Sequence, residues 1–214
     1  MERNNKGFTL IEMLIALALG SFLLAGSVSV FTYSNRAYVV QDEVVTTQQF
    51  VRSALEILVH EIRMGGYVPP DAKDSLGVYE QLSEATATAM TFIADLNADG
   101  IPEQVRYTLT GTTLTRESWQ WDDSTTPGQW VTQTSGAAVT LAENITALGF
   151  VYTYADGTQG IPASTQERAD VRAVSISITG RTAHEDPNFE AAPDGTHYRY
   201  RTLMSFVKLR NMGL

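Results

Sequence analysis

From Phe8 to Phe31 the chain reads FTLIEMLIALALGSFLLAGSVSVF, 24 residues in which Glu12 is the one formal charge. A helix rises 1.5 Å per residue, so this run reaches about 36 Å and can cross a hydrocarbon core of about 30 Å. Beyond Tyr33 the pattern changes: Val44, Val51, Leu55, Leu58 and Ile62 recur at spacings of 7, 4, 3 and 4, forming one stripe on a helix. The two stretches predict a single long helix, apolar all round over residues 8–31 and amphipathic over 32–66. Gly65-Gly66 and then Pro69-Pro70 supply its stop.

From residue 67 to 214 short β-rich runs alternate with turn residues. The expected strands are Met90 to Ala94, Gln104 to Thr110, Thr113 to Trp121, Gln129 to Thr132, Ala138 to Leu141, Leu148 to Tyr154, Val171 to Thr179 and Tyr198 to Leu209. Val174, Ile176 and Ile178 alternate with Ser175, Ser177 and Thr179, as in a half-buried antiparallel strand. Thr110-Gly111-Thr112 reads as a tight hairpin turn. The expected fold class is α+β, a long N-terminal helix whose apolar stripe packs on an antiparallel β-sheet head.

Composition narrows the function. The 214 residues contain no cysteine, which removes disulfides, thiolate metal sites, cysteine nucleophiles and a lipoprotein signal. A net charge of -9 argues against a nucleic-acid partner, which needs a basic face. No G-x-S-x-G, phosphate-binding P-loop or dinucleotide glycine pattern is present, so no enzyme is expected. His60-Glu61 begins like a zinc-protease helix, but the second histidine of H-E-x-x-H would fall on Met64; the pair reads as a solvated helical face.

Three readings compete for the apolar run: a cleaved secretory signal, a signal anchor, or a prepilin-type leader whose helix is retained. A secretory signal has an apolar region of about 7 to 15 residues before its cleavage site, which this run exceeds. A carboxylate inside an apolar segment costs roughly 2.5 to 3.5 kcal/mol by insertion scales, so Glu12 either reaches headgroups or finds a positive partner.

Lys6-Gly7-Phe8-Thr9-Leu10-Ile11-Glu12-Met13-Leu14-Ile15-Ala16 closely resembles the prepilin signature of type IV pilins and type II secretion pseudopilins. The resemblance implies cleavage between Gly7 and Phe8 by a prepilin peptidase, N-methylation of Phe8, and pairing of Glu12 with a neighbouring subunit's N-terminal amine during assembly. It divides the chain into a leader (1–7), a transmembrane and filament-core helix (8–31), the amphipathic half of that helix (32–66) and the head (67–214). Losing the leader removes one acidic and two basic side chains, so the net charge moves from -9 to about -10. Gly7 leaves the backbone open to a protease, and Arg3 and Lys6 favour the cytoplasmic side. Many major pilins have a proline in this helix where the chain loosens; here only Gly20 and Gly26 could serve.

In the head, Leu141 to Tyr152, Val171 to Ile176 and Arg201 to Asn211 are similar to minor pilins called PilW and to J-type pseudopilins (GspJ). The implied function is a structural minor pilin that helps initiate pilus assembly, in a tip complex. Its implied partners are other minor and major pilins, the prepilin peptidase, the inner-membrane assembly platform and, before assembly, membrane lipid. The implied location is a single pass in the bacterial inner membrane with the head in the periplasm, then the filament. A J-type pseudopilin and a signal-anchored surface binding protein are the alternatives.

Asp95-Leu96-Asn97-Ala98-Asp99-Gly100-Ile101-Pro102-Glu103 matches the first nine positions of a calcium loop, with Asp95, Asn97, Asp99, Glu103 and the Ile101 carbonyl as oxygen ligands. Arg106 stands where an EF-hand has its bidentate Glu, so any site is open, with expected affinity of roughly 0.1 to 1 mM. An Asx-rich turn between two strands is the alternative. Trp119, Trp121 and Trp130 read as core packing before an exposed aromatic patch. His184 and His197 read as solvated loop histidines.

Overall fold

Helix α1 runs unbroken from Leu10 to Met64 in the computed structural model, which describes residues 7–212 apart from 78, 126, 133–137, 193 and 194. The leader residues Arg3 and Lys6 lie outside the described residues. Two compact units share the chain, with the boundary between Glu43 and Val44.

In the second unit, the stripe of α1 is buried through Thr47, Val51, Ala54, Leu55, Leu58 and Ile62. Val44 is half-buried, and Thr47 and Ala54 fill the positions that the apolar periodicity skipped. Gly65 and Gly66 end the helix as expected: the Gly66 N–H leaves it to donate to the Ile93 carbonyl at 2.8 Å, with φ at +86°. The prolines do something else. Pro70 occupies the first turn of a second helix, α2 (Pro70–Leu76), where its missing N–H costs nothing.

Ten strands follow: β1 (Leu82–Ala85), β2 (Ala89–Ala94), β3 (Glu103–Thr110), β4 (Thr113–Asp122), β5 (Gln129–Thr132), β6 (Val139–Ala142), β7 (Ile145–Tyr154), β8 (Gln159–Gly160), β9 (Val171–Arg181) and β10 (Tyr200–Lys208). A short helix, α3 (Thr165–Ala169), precedes β9. The described residues form two antiparallel sheets, one in the order β1-β2-β3-β4-β5 with β6 also on β4, the other β10-β9-β7-β8. Thr110 pairs with Thr113 across Gly111-Thr112, and Gly111 has φ +62°, the geometry a two-residue hairpin needs. All eight expected strands are present with ends shifted by a few residues; β1, β8, α2 and α3 are additional.

One hydrophobic cluster joins the α1 stripe to both sheets through Leu58, Ile62, Phe92, Tyr107, Phe150, Tyr152, Ile176 and Ile178 among others. α1 comes close to the second sheet at Gly180, where an added Cβ would lie 2.5 Å from Val51 Cγ2 and 3.3 Å from Thr47 Cγ2. The absent side chain lets the helix settle onto β9.

The face of α1 carrying Glu61 is not simply solvated, contrary to the sequence-based expectation. Its carboxylate accepts from Tyr107 Oη–H and from Arg116 Nε–H at 2.9 and 3.1 Å, and the Glu61 and Arg116 side chains are only 17% and 19% exposed. Burial, then the Glu61 charge, push the Tyr107 hydroxyl far above its ordinary range, so it stays a donor. Burial disfavours the Arg116 charge, but the Glu61 hydrogen bonds and charge outweigh it and raise its pKa. Truncating one member of such a pair leaves the other charge poorly solvated.

Two stability predictions follow from this packing. Gly180→Ala should destabilise the protein by about 1–3 kcal/mol, because Val51 is stiff and must shift; the midpoint of chemical unfolding in detergent measures it. Arg116→Leu should cost about 3–5 kcal/mol, and adding Glu61→Gln should recover part of the loss. A double variant no better than Arg116→Leu would show that the two charges are not coupled.

Candidate processing and assembly site

Every residue from Gly7 to Tyr33 except Gly20 is exposed, and Phe8 is 85% exposed. The Gly7–Phe8 peptide thus precedes the helix in open backbone, and a Cβ on Gly7 would meet nothing within 4 Å. α1 alone among the described helices is long and apolar enough to cross a membrane. Its polar side chains fit that use. Ser21 donates to the Ala18 carbonyl, Ser27 to Leu23, Ser29 to Ala25 and Thr32 to Val28, all at 2.8–2.9 Å. Each hydroxyl is satisfied within its own helix and can enter hydrocarbon without an unmet hydrogen bond.

Glu12 has a role that sequence reasoning missed. Thr9 is the residue before the helix and Glu12 its third residue, the spacing of a capping box. The Glu12 N–H donates to Thr9 Oγ1 at 3.3 Å, and Glu12 Oε2 accepts the Thr9 N–H at 2.9 Å and the Thr9 hydroxyl at 3.0 Å. The signal was legible as T-x-x-E ahead of an apolar run. The box holds the carboxylate at the helix start, next to the residue that cleavage would make N-terminal, and gives it favourable contact with the helix dipole.

This segment matches a family model described as the prokaryotic N-terminal methylation motif, over residues 3–28. The chain begins with the methylation motif of prepilin-type pilins. The matched residues include Gly7, Phe8 and Glu12 and most of the apolar run that follows. A type IV-like pilin from Thermus thermophilus is similar in structure, with 11% identity, coverage of 81% of this chain and 98% of that one, and a TM-score of 0.48. A search of curated proteins gave no significant match.

Outside the prepilin motif, the structure places the other candidate residues as follows. Asp95 to Pro102 form the turn between β2 and β3, with Glu103 opening β3. Asn97 and Asp99 are exposed there, whereas Asp95 and Glu103 are buried. Burial first, then the Asp99 and Asp95 charges, raise the Glu103 carboxyl above its ordinary value, although the Leu96 N–H donates to it. Trp119, Trp121 and Trp130 are half-buried; Trp121 meets Trp130 edge-on at 5.2 Å, and Trp130 packs on a small cluster of Val68, Ala72 and Ile93. His197 Nδ1 lies 2.7 Å from the Phe189 carbonyl, and the His184 carbonyl accepts from Thr182. The strap carrying these histidines is closed by Arg199 on Asp186 at 2.6 Å; that guanidinium holds the Asp186 carboxyl below its ordinary value.

Thr9→Ala should remove the two hydrogen bonds made by the Thr9 hydroxyl, leaving only that from the Thr9 N–H to Glu12, and cost the helix start about 1 kcal/mol. Amide exchange at residues 10–13 in micelles should quicken several-fold while residues 20–30 stay unchanged.

Proposed function

We propose that this protein is a structural minor pilin of the PilW type, processed between Gly7 and Phe8 by prepilin peptidase and methylated on Phe8. The observation that carries the reading is the start of α1, Leu10 to Thr32, which exposes apolar side chains on all sides, satisfies its serine and threonine hydroxyls internally and lies largely within the matched prepilin motif. Water is an unfavourable solvent for such a surface, so it needs lipid and then other apolar helices.

Before assembly the helix is held as a single pass in the bacterial inner membrane, with Arg3 and Lys6 on the cytoplasmic side and the head in the periplasm. Cleavage places a cationic amine on Phe8 in the mature chain. On recruitment by the assembly platform, the exposed Glu12 carboxylate exchanges capping-box bonds for the amine of a neighbouring major or minor pilin, which sets register. The net gain from this pair is small, because both charges lose water; its value is positional. The subunit then helps initiate the filament in a tip complex. Nothing in the acidic head suits nucleic acid, and the function proposed involves no catalysis by the chain itself.

Replacing Gly7 with a bulky residue, as in Gly7→Val, tests processing. Intact-mass measurement should find a chain longer by seven residues and lacking a methyl group, and an unchanged mass would reject the prepilin reading in favour of a signal-anchored binding protein. Deletion then decides the machine: loss of surface pili with secretion intact supports the pilin, whereas lost secretion with pili intact makes the protein a J-type pseudopilin.

A further inference from the structure

The turn between β2 and β3 places its oxygens in a definite pattern. The Gly100 N–H donates to Asp95 Oδ2 at 3.1 Å, the Asp99 N–H to Asn97 Oδ1 at 3.0 Å and the Ile101 N–H to Asp99 Oδ1 at 2.8 Å. Ala98 and Gly100 have φ of +58° and +87°, so the turn folds back on itself. Backbone donors thereby occupy one oxygen of each Asp.

The remaining oxygen of Asp95 has no such explanation. Asp95 is 2% exposed, and its Oδ1 is buried with no hydrogen-bond partner. A desolvated acceptor left unpaired is costly and calls for a partner. Since Oδ2 of the same carboxylate is tied to Gly100, the orphan oxygen is held at the turn itself. Its companions there are oxygen groups, the ligands a hard cation takes.

The geometry points to a calcium site in which Asp95 Oδ1 is the anchoring ligand and Asp99 Oδ2 the second. Among the described residues no three histidine or carboxylate groups already form a metal cage, so neutral oxygens and water complete the shell. Asp99 Oδ2 now accepts from Asn97 Nδ2 at 2.8 Å and from Gln120 Nε2 at 3.3 Å. Drawing the Asn97 amide group away from Asp99 Oδ2 frees that oxygen, and Asn97 Oδ1, which accepts one hydrogen bond from the Asp99 N–H, has a second lone pair to serve as third ligand; the Ile101 carbonyl is the fourth. Glu103 clamps the turn through the Leu96 N–H, and at the ninth position of the loop it acts on the ion through water. With two carboxylates in direct contact the site is weak, with Kd of about 0.1–1 mM.

Titration of the full-length chain in detergent micelles with calcium chloride, against sodium chloride of equal ionic strength, tests the site. Calorimetry should give one calcium per chain, and about 10 mM calcium should raise Tm by about 3–10 °C, a shift that chelator reverses. Asp99→Asn, at an exposed position, should fold normally and lose most of the shift; Asp95→Asn, which keeps the buried shape, should abolish it. No heat and no shift with the unaltered chain, or an Asp99→Asn chain that responds fully, would overturn the site.

Discussion

The structure depends on one mismatch with water: residues 8–31, nearly all of them in the first turns of α1, present apolar side chains on every side, and all but Gly20 are exposed. Burying such a surface is the largest favourable term available to it, and lipid or neighbouring helices are the environments that supply it. On the proposed function, the prepilin motif at its start gives that surface a route from one environment to the other. The proposed removal of the leader with the helix left intact is chemistry that a secretory signal, cut after its apolar region, does not share.

The same helix behaves differently past Val44. Its stripe there is a core element, covered by two antiparallel sheets and seated at Gly180, and the Glu61–Tyr107–Arg116 cluster fixes its rotation against β3 and β4. Apolar packing alone tolerates small rotations of a helix; a half-buried ion pair with a tyrosine donor does not, since a rotation that parts Glu61 from Arg116 leaves two charges poorly solvated. One secondary-structure element thus serves two solvents, and the change occurs where the periodicity of apolar residues appears.

That change was legible in the sequence because period 3.6 and continuous apolarity are strong signals over long stretches. Eight of the ten strands were legible by alternation and turn residues, down to the Gly111 hairpin. What escaped was short or non-local. β8 has two residues, too few for a period, and β1, Leu-Ser-Glu-Ala, carries no β-branched or aromatic residue to mark it. α3 was announced by Ser164 and Glu167, the same S/T-x-x-E spacing as Thr9 and Glu12, and the Glu167 N–H does donate to Ser164 Oγ. Pro70, which follows the end of α1, opens α2 rather than only closing what precedes it, since proline starts a helix as readily as it ends one. Glu61 could not be paired from sequence, because Tyr107 and Arg116 lie 46 and 55 positions away and only the folded sheet brings them together.

The inward-turned hydroxyls of Ser27, Ser29 and Thr32 have an effect on how selective the stem can be. With every donor spent on its own backbone, the outer surface of the helix offers neighbours shape and little direction. Dispersion between smooth helices changes gradually with rotation and sliding, so a stem of this kind accepts unlike sequences beside it. If the stem is built into a filament as proposed, discrimination among neighbours falls to the one carboxylate at its start and to the loops and edges of the head, and a mixed polymer can change its composition along its length without redesigning its interior.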